Sequence, residues 1–255
     1  MQTHSSDEPL QLGALLSDRE YVHSRFAPSL RDGYYLSNTD VATVVAMFAQ
    51  QAGGKLFDYG CGGSPYRALF KQCSEYIRAD VTPSPGIDRL LGADTLTHEL
   101  PDCYDVVLST QVLEHVANPA AYVSECHRIL KSGGQLLITT HGLYEEHGCP
   151  NDYFRWTPDG LEKLVTSAGL KVLESYKLTA ELRGIIQLTF CFAQHLRYPG
   201  HPLVHYPLVL SRKIYNRVLC PLLNLVGKAL DRQGVLPGNS PASLYVGVAV
   251  RARKP

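Results

Sequence analysis

Leu56-Phe57-Asp58-Tyr59-Gly60-Cys61-Gly62-Gly63-Ser64-Pro65 decides the fold. An apolar strand over 55–59 runs into a glycine-rich turn, and Pro65 opens a helix predicted over 65–72, proline being well placed early in a helix. Glycines in that turn permit positive φ and let the backbone approach a ligand at the strand's C-terminal edge. Asp58, two residues before the first glycine, selects the ligand. A carboxylate there repels a pyrophosphate and welcomes a cationic amino group.

Working outward, short apolar runs alternate with amphipathic spacing. Strands are predicted over 75–80, 87–91, 104–109 (YDVVLS), 135–140 (QLLITT), 170–178 and 243–250. Helices are predicted over 39–50, ending at Gly53-Gly54; from Asn118-Pro119 to Leu130; and from the N-cap Thr157 with Pro158 to Gly169. This alternation predicts an α/β protein with a mostly parallel, doubly wound sheet. About sixty residues separate the last two strands, long for a connection in a compact domain. They are rich in apolar and aromatic residues and carry Pro199, Pro202, Pro207 and Pro221. The expected organisation is an N-terminal helical cap over 1–52, a core over 53–180, an inserted helical cap over 181–240 and a final core strand over 241–255.

Two further acids extend the rim. Asp80 ends the second strand about 20 residues after the glycine turn, where a carboxylate accepts from both ribose hydroxyls. Asp94, in Gly92-Ala93-Asp94-Thr95, lies where the third strand reaches the same edge and is placed to accept from an adenine amino group. Each alone has a plainer reading, Asp80 as a turn cap and Asp94 as the start of a short helix.

In these residues the chain resembles the class I S-adenosylmethionine-dependent methyltransferases, particularly the small-molecule group with a Leu-Glu-His-Val motif. The resemblance runs from Phe57 to Gly169 through FDYGCGGSPY, YIRAD, GADTLTHELP, YDVVLSTQVLEHV and LKSGGQLLITT. It implies a Rossmann-like, seven-stranded sheet with helices on both faces and the last strand antiparallel, and S-adenosyl-L-methionine as cofactor. By the same resemblance Asp58, Gly60 and Gly62 hold the methionine part, with Cys61 in the same turn. Asp80 binds the ribose with Val81 beside it, and Asp94 with the Thr95 backbone takes the adenine. Ser109, Thr110 and Gln111 border the sulfonium. Ser64 stands where the family has a glycine, with Gly63 displaced one position earlier. Cys61 is read as small and inert rather than as a nucleophile.

The loop over 140–157 is dense in polar and aromatic groups, and loops at this edge carry substrate contacts. Its Asp-Tyr-Phe-Arg-Trp-Thr-Pro-x-Gly-Leu run resembles a subgroup associated with bacterial glycan and specialised-metabolite pathways. Tyr144, Asp152, Tyr153, Arg155 and Trp156 are the substrate candidates. A hydroxyl acceptor must lose a proton, and histidine matches that task. His141 is the first candidate base, His147 the second and His115 the third; each has the alternative of an ordinary loop histidine. Glu145 and Glu146 are alternatives as base or, with the histidines, as metal ligands. His201-x-x-x-His205 has metal spacing, but Pro202 interrupts it, and no resident metal is expected.

Composition bounds the partners. The chain of 255 residues balances 24 Lys+Arg against 24 Asp+Glu, which argues against nucleic-acid binding by the whole surface. An apolar fraction of 45% excludes disorder. Cys61, Cys73, Cys103, Cys126, Cys149, Cys191 and Cys220 form no C-x-x-C pair, so free thiols in a reducing compartment are expected. The N-terminus lacks the pattern of a signal peptide, and the apolar windows 184–192 and 219–226 fall short of the roughly 20 residues of a membrane span. The expected location is cytoplasmic. Neutrality is a cancellation, however. Residues 181–235 carry seven basic residues against two acids, beside many aromatics and leucines. That segment reads as a cap, a substrate lid, or a homodimer or membrane-surface contact.

The expected activity is methyl transfer from S-adenosylmethionine to a small molecule such as a specialised metabolite, sugar or glycan precursor, at oxygen. The alternatives are a nicotinamide-dependent oxidoreductase and a non-catalytic cofactor-binding protein of the same fold. A nucleic-acid methyltransferase is disfavoured, because Ser109-Thr110-Gln111-Val112 stands where an Asn/Asp/Ser-Pro-Pro-aromatic motif belongs, and Cys149-Pro150 reverses the Pro-Cys order of cytosine C5 enzymes.

Overall fold

The computed structural model describes residues 18–92, 94–148, 151–195 and 210–255. In chain order the elements are α1 (Asp18–Phe26), α2 (Tyr35–Ala49), β1 (Gly54–Tyr59), β2 (Cys73–Asp80), β3 (Arg89–Leu90), β4 (Tyr104–Thr110), α3 (Pro119–Ile129), β5 (Leu130–His141), α4 (Pro158–Ser167), β6 (Lys171–Ala180), α5 (Glu181–His195), α6 (Cys220–Ala229), β7 (Val235–Pro237) and β8 (Tyr245–Arg253). Residues 1–17, the His201/His205 pair, Cys149, Pro150, Arg197, Tyr198 and Tyr206 lie outside the described residues.

The strands form one sheet in the order β3-β2-β1-β4-β5-β8-β6-β7. β1 pairs in parallel with β2 on one side and β4 on the other, β5 continues the parallel run, and β8 runs antiparallel between β5 and β6. The chain therefore builds outward from β1 in one direction and then in the other. The point of reversal, at the C-terminal ends of β1 and β4, is where such sheets open a ligand crevice.

Alternation along the strands splits the core into two layers. Phe57, Tyr59, Val107, Leu136 and Ile138 pack with Val123, Cys126 and Ile129 of α3 and Leu161 and Val165 of α4. Leu56, Val106, Leu108 and Leu137 face Val41, Val44, Val45 and Phe48 of α2. Both helices over the first layer start as the sequence predicts. Asn118 and Thr157 accept backbone N–H bonds from Ala121 and Gly160, each at 3.1 Å, with proline following each cap.

Three details differ from the sequence reading. The helix predicted over 65–72 is a single 3-10 turn at Arg67–Leu69, followed by β2 from Cys73. The sheet has eight strands rather than seven. The additional one, β7, pairs antiparallel with β6 at the sheet edge and lies inside the segment expected to be helical throughout. Residues 210–229 run as one helix that widens into a π turn at Tyr215–Leu219, just before Pro221. Proline lacks an N–H and crowds the carbonyl four residues back, and the wider turn absorbs both defects.

Segment 181–240 is tied to the N-terminal helices by buried polar contacts. Arg183 on α5 makes a two-pronged ion pair with Asp40 on α2, at 2.6 and 2.9 Å, and also donates to the Gly227 carbonyl of α6. Thr179 donates to the same Asp40 at 2.7 Å. Asn224 donates to the carbonyls of Leu30 and Asp32, both at 2.9 Å. The outer side of this region leaves Leu210, Ile214, Val218, Leu222 and Leu225 exposed. Among the described residues no helix is long and apolar enough to cross a membrane.

Candidate active site

The glycine turn after β1 is a strained loop held by backbone bonds. Gly60 (φ 80°) and Gly62 (φ 48°) are both left-handed, and a Cβ on Gly60 would overlap the Val112 side chain. Ser64, at the family's glycine position, itself takes φ 50°, so the turn keeps its shape at a cost of about 1 kcal/mol. Its hydroxyl accepts from Arg78 Nε at 2.9 Å. The amides of Gly60 and Cys61 donate to the Ala79 carbonyl, and Gly62 donates to Asp80 Oδ2 at 2.8 Å. Cys61 is buried and its thiol is pushed up to about 12 by that burial, so it is no nucleophile.

Asp58 is 2% exposed and accepts from the Tyr76 hydroxyl at 2.7 Å. Burial raises its carboxyl to about 7, against the pull of Tyr76 and Ser64. A buried acid at that value ionises readily when a cation arrives beside it. Asp80 receives Gly62 N–H on one oxygen and Thr82 N–H on the other, both at 2.8 Å, with Val81 half exposed between them. Asp94 lies on the surface, accepting from Leu96 N–H, while Thr95 takes φ 59° with its carbonyl bonded to the Tyr59 hydroxyl of β1.

At the end of β4 the sequence reading needs correction. Ser109 is fully buried and its hydroxyl accepts from Tyr122 at 2.9 Å, because strand alternation turns it into the α3 layer. Gln111, not Ser109, sits at the edge. It has φ 55°, donates from Nε2 to the Thr139 hydroxyl at 3.0 Å and is anchored through its N–H to the Thr139 carbonyl.

The three candidate histidines converge. His115 and His147 have ring centroids 4.9 Å apart, as do His141 and His147. His141, at the end of β5, stacks on Tyr144 with centroids 4.0 Å apart and planes within 3°. Burial holds His141 well below the usual imidazole range, with His147 and Arg155 adding to the effect, so it is neutral near pH 7. His147 is lowered in the same way by burial and by His115.

Beneath them lies Glu114, a residue of the Leu-Glu-His-Val motif that had no assigned role. It is fully buried, on the turn after β4. Its Oε2 accepts from Thr140 at 2.8 Å and its Oε1 lies 3.1 Å from His141 Nε2. Burial raises its carboxyl, with His115 pulling the other way. Its sequence signal was its place in that motif, an acid between the apolar residues Leu113 and Val116.

The substrate candidates divide. Arg155 grips Asp152 with two bonds of 2.5 Å, which hold that carboxyl far below the ordinary range, and it also donates to the Glu145 carbonyl at 2.6 Å. Tyr153 is 50% exposed, and its N–H is pinned to the Glu114 carbonyl at 2.8 Å. Trp156 is half-buried, its ring packing against the sheet core, and its backbone N–H donates to the His141 carbonyl. Residues from far along the chain complete the wall. Tyr34 donates to Glu145 Oε1 at 2.5 Å and meets the Phe190 ring edge-on at 5.3 Å. Tyr21 of α1 covers Gly62 and Gly63, with the Arg25 guanidinium 5.6 Å from its ring.

Comparison with known proteins matches residues 57–138 to the family of methyltransferase domains. The ubiquinone biosynthesis O-methyltransferase of Pseudomonas aeruginosa is 32% identical over 104 residues, covering 35% of this chain and 45% of that protein. The chain thus spans about half the length of the curated relatives it matches. A methyltransferase-like structure from Bacillus halodurans superposes with a TM-score of 0.51 at 16% identity, over 85% of this chain and 99% of that one. The cyclase SpnF superposes with a TM-score of 0.50 at 17% identity, over 84% and 81% of the two chains. At such identities the likeness shows the fold, and the cyclase illustrates that one fold hosts more than one reaction.

Proposed function

The chain carries the methyltransferase domain of the class I S-adenosylmethionine-dependent family, and on that premise we propose that it methylates a hydroxyl of a small molecule with His141 as general base. The observation that carries this reading is the His141–Glu114 pair at the C-terminal ends of neighbouring strands, one step from the glycine turn. A neutral imidazole beside a buried carboxylate is an arrangement suited to accept a proton from a hydroxyl.

The residues present fit the cofactor. Asp58 is a buried acid ready to ionise beside an ammonium group, the left-handed turn at Gly60 and Gly62 offers a cradle free of Cβ atoms, and Asp80 is oriented by two amides with lone pairs to spare. A pyrophosphate in the same cradle would meet the Asp58 charge, which disfavours a nicotinamide dinucleotide. When bound, S-adenosylmethionine supplies a methyl group on a sulfonium. His141 takes the proton of the acceptor hydroxyl, whose oxygen electron pair forms the bond to the methyl carbon while the carbon–sulfur pair stays on sulfur. Tyr144 stacks on the ring, and Glu114 Oε1, 3.1 Å from His141 Nε2, stabilises the imidazolium that forms. Holding the two reacting atoms in line supplies roughly 7–11 kcal/mol of barrier lowering.

Tyr34, Tyr144 and Phe190 offer flat aromatic walls suited to a ring-bearing acceptor, a specialised metabolite or a sugar or glycan precursor. In this reading segments 1–52 and 181–240 cap the acceptor side, which the buried Arg183–Asp40 pair supports. The exposed leucines of 210–229, with Arg212, Lys213 and Arg217 among them, support a homodimer or membrane-surface contact at the outer face. Free thiols at Cys61, Cys73, Cys103, Cys126 and Cys220 support a cytoplasmic location. The test is an acceptor screen read by mass spectrometry for the gain of one methyl. A hydroxyl-bearing product supports the reading; cofactor binding without turnover on any acceptor would make the protein a binding module instead.

A further inference from the structure

We propose that Glu114, His115 and His147 form a binding site for a divalent transition-metal ion at the acceptor end of the cleft. One ligand atom from each lies within 4.8 Å of the others. Glu114 is fully buried, its Oε2 is taken by Thr140, and its Oε1 accepts no hydrogen bond although the His141 ring nitrogen lies 3.1 Å away. A carboxylate oxygen left bare in the interior is costly unless a cation meets it. That oxygen lies 3.8 Å from His115 Nε2, close to the roughly 3.4 Å that separates two ligands on a tetrahedral ion.

Both histidines are set as ligands by contacts on their far side. His115 Nδ1 lies 2.6 Å from the Asn151 carbonyl, which makes Nδ1 the donor and leaves the lone pair on Nε2. His147 Nδ1 faces the Glu145 carbonyl at 3.3 Å and Asp152 Oδ2 at 3.4 Å, with the same consequence. Carbonyl or carboxylate partners of this kind orient metal-bound imidazoles and raise their basicity. Asp152 is in turn fixed by Arg155. One carboxylate and two imidazoles suit zinc, iron, cobalt or manganese, and three protein ligands leave an open position. An acceptor hydroxyl in that position releases its proton more easily, and His141, 3.1 Å from the same Glu114 oxygen, is beside it to take the proton. The ion's part in transfer rests on the O-methylation proposed above; its binding does not.

Cobalt(II) added to the chelator-stripped full chain is the probe. One equivalent should bind with the visible d–d bands of a four- or five-coordinate ion. His147→Ala and the isosteric Glu114→Gln should each weaken binding by more than about tenfold, and Asp152→Asn by about 10- to 100-fold. His98→Ala, an exposed residue outside the cluster, should change nothing. Circular dichroism establishes that each variant is folded. Absence of such bands at saturating cobalt, or binding unchanged in both ligand variants, overturns the site. With an acceptor in hand, turnover lost to chelator and restored by cobalt supports the ion's role, and turnover indifferent to chelator overturns that role. An intact cobalt site in a protein that methylates no acceptor overturns the functional reading and leaves the site standing.

Discussion

On the proposed function, the cofactor half of the site and the acceptor half are built in different ways. Around Asp58, Gly60, Gly62 and Asp80, one continuous strand–turn–strand unit does the work, and its geometry is set by the backbone bonds of Gly60 and Cys61 N–H to the Ala79 carbonyl and by Gly62 N–H on the Asp80 carboxylate. Around His141, side chains arrive from the turn after β4, the loop after β5, the start of α2 and the body of α5, and side-chain contacts between these distant elements join the backbone bonds of the loop in registering them. In that reading the first half binds a fixed ligand and needs a local, repeatable shape. The second selects among acceptors and is assembled from distant parts of the chain, where substitutions change the pocket without disturbing the turn.

If the halves are separable, variants should divide cleanly between them. The largest expected effect is His141→Ala, which should lower turnover by about 10²–10⁴-fold while leaving affinity for S-adenosylhomocysteine unchanged. A loss of both would show that the halves are one unit. Next, Arg183→Ala strands Asp40 as an unpaired buried acid and should cost about 3–5 kcal/mol in denaturant unfolding, loosening the acceptor wall through α5. Asp80→Ala should weaken S-adenosylhomocysteine roughly 10- to 100-fold by calorimetry, the worth of hydrogen bonds to a charged group.

The smallest effect is a pH dependence. Because the Asp58 carboxyl is raised from 3.8 to about 7, the native protein keeps a proton that the unfolded chain has released between those values. Its contribution to stability is therefore full below pH 3.8 and lost as pH rises through 7. Ligand affinity moves the other way, since the ammonium group pairs with the ionised form. Affinity for S-adenosylhomocysteine should rise about tenfold from pH 6 to pH 8, and Asp58→Asn should flatten both dependences.

The same contrast explains what the sequence revealed. That Asp58, Gly60, Gly62 and Asp80 lie together was legible because a parallel sheet converts strand ends in order into neighbours along one rim. Ser109 was misplaced by a single step of strand alternation, a register that spacing alone leaves open at the end of a strand. Glu114 lay inside a motif in plain view, yet its burial under three histidines depends on how the 140–157 loop folds back, with Tyr153 N–H on the Glu114 carbonyl and Trp156 N–H on that of His141. Tyr21, Arg25, Tyr34 and Phe190 carried no local signal, because their role arises from tertiary packing. Arg183 counted only as one of the seven basic residues over 181–235, because its partner Asp40 lies 143 positions away.

The most direct test of the two-part cleft is a calorimetric titration of S-adenosylhomocysteine into the wild type, His141→Ala and Asp80→Ala, with nicotinamide dinucleotide as the competing ligand. One site per chain should appear, equal in the wild type and His141→Ala and weakened in Asp80→Ala, with no heat from the dinucleotide. Binding of the dinucleotide in place of S-adenosylhomocysteine, or an equal loss in both variants, would contradict the account.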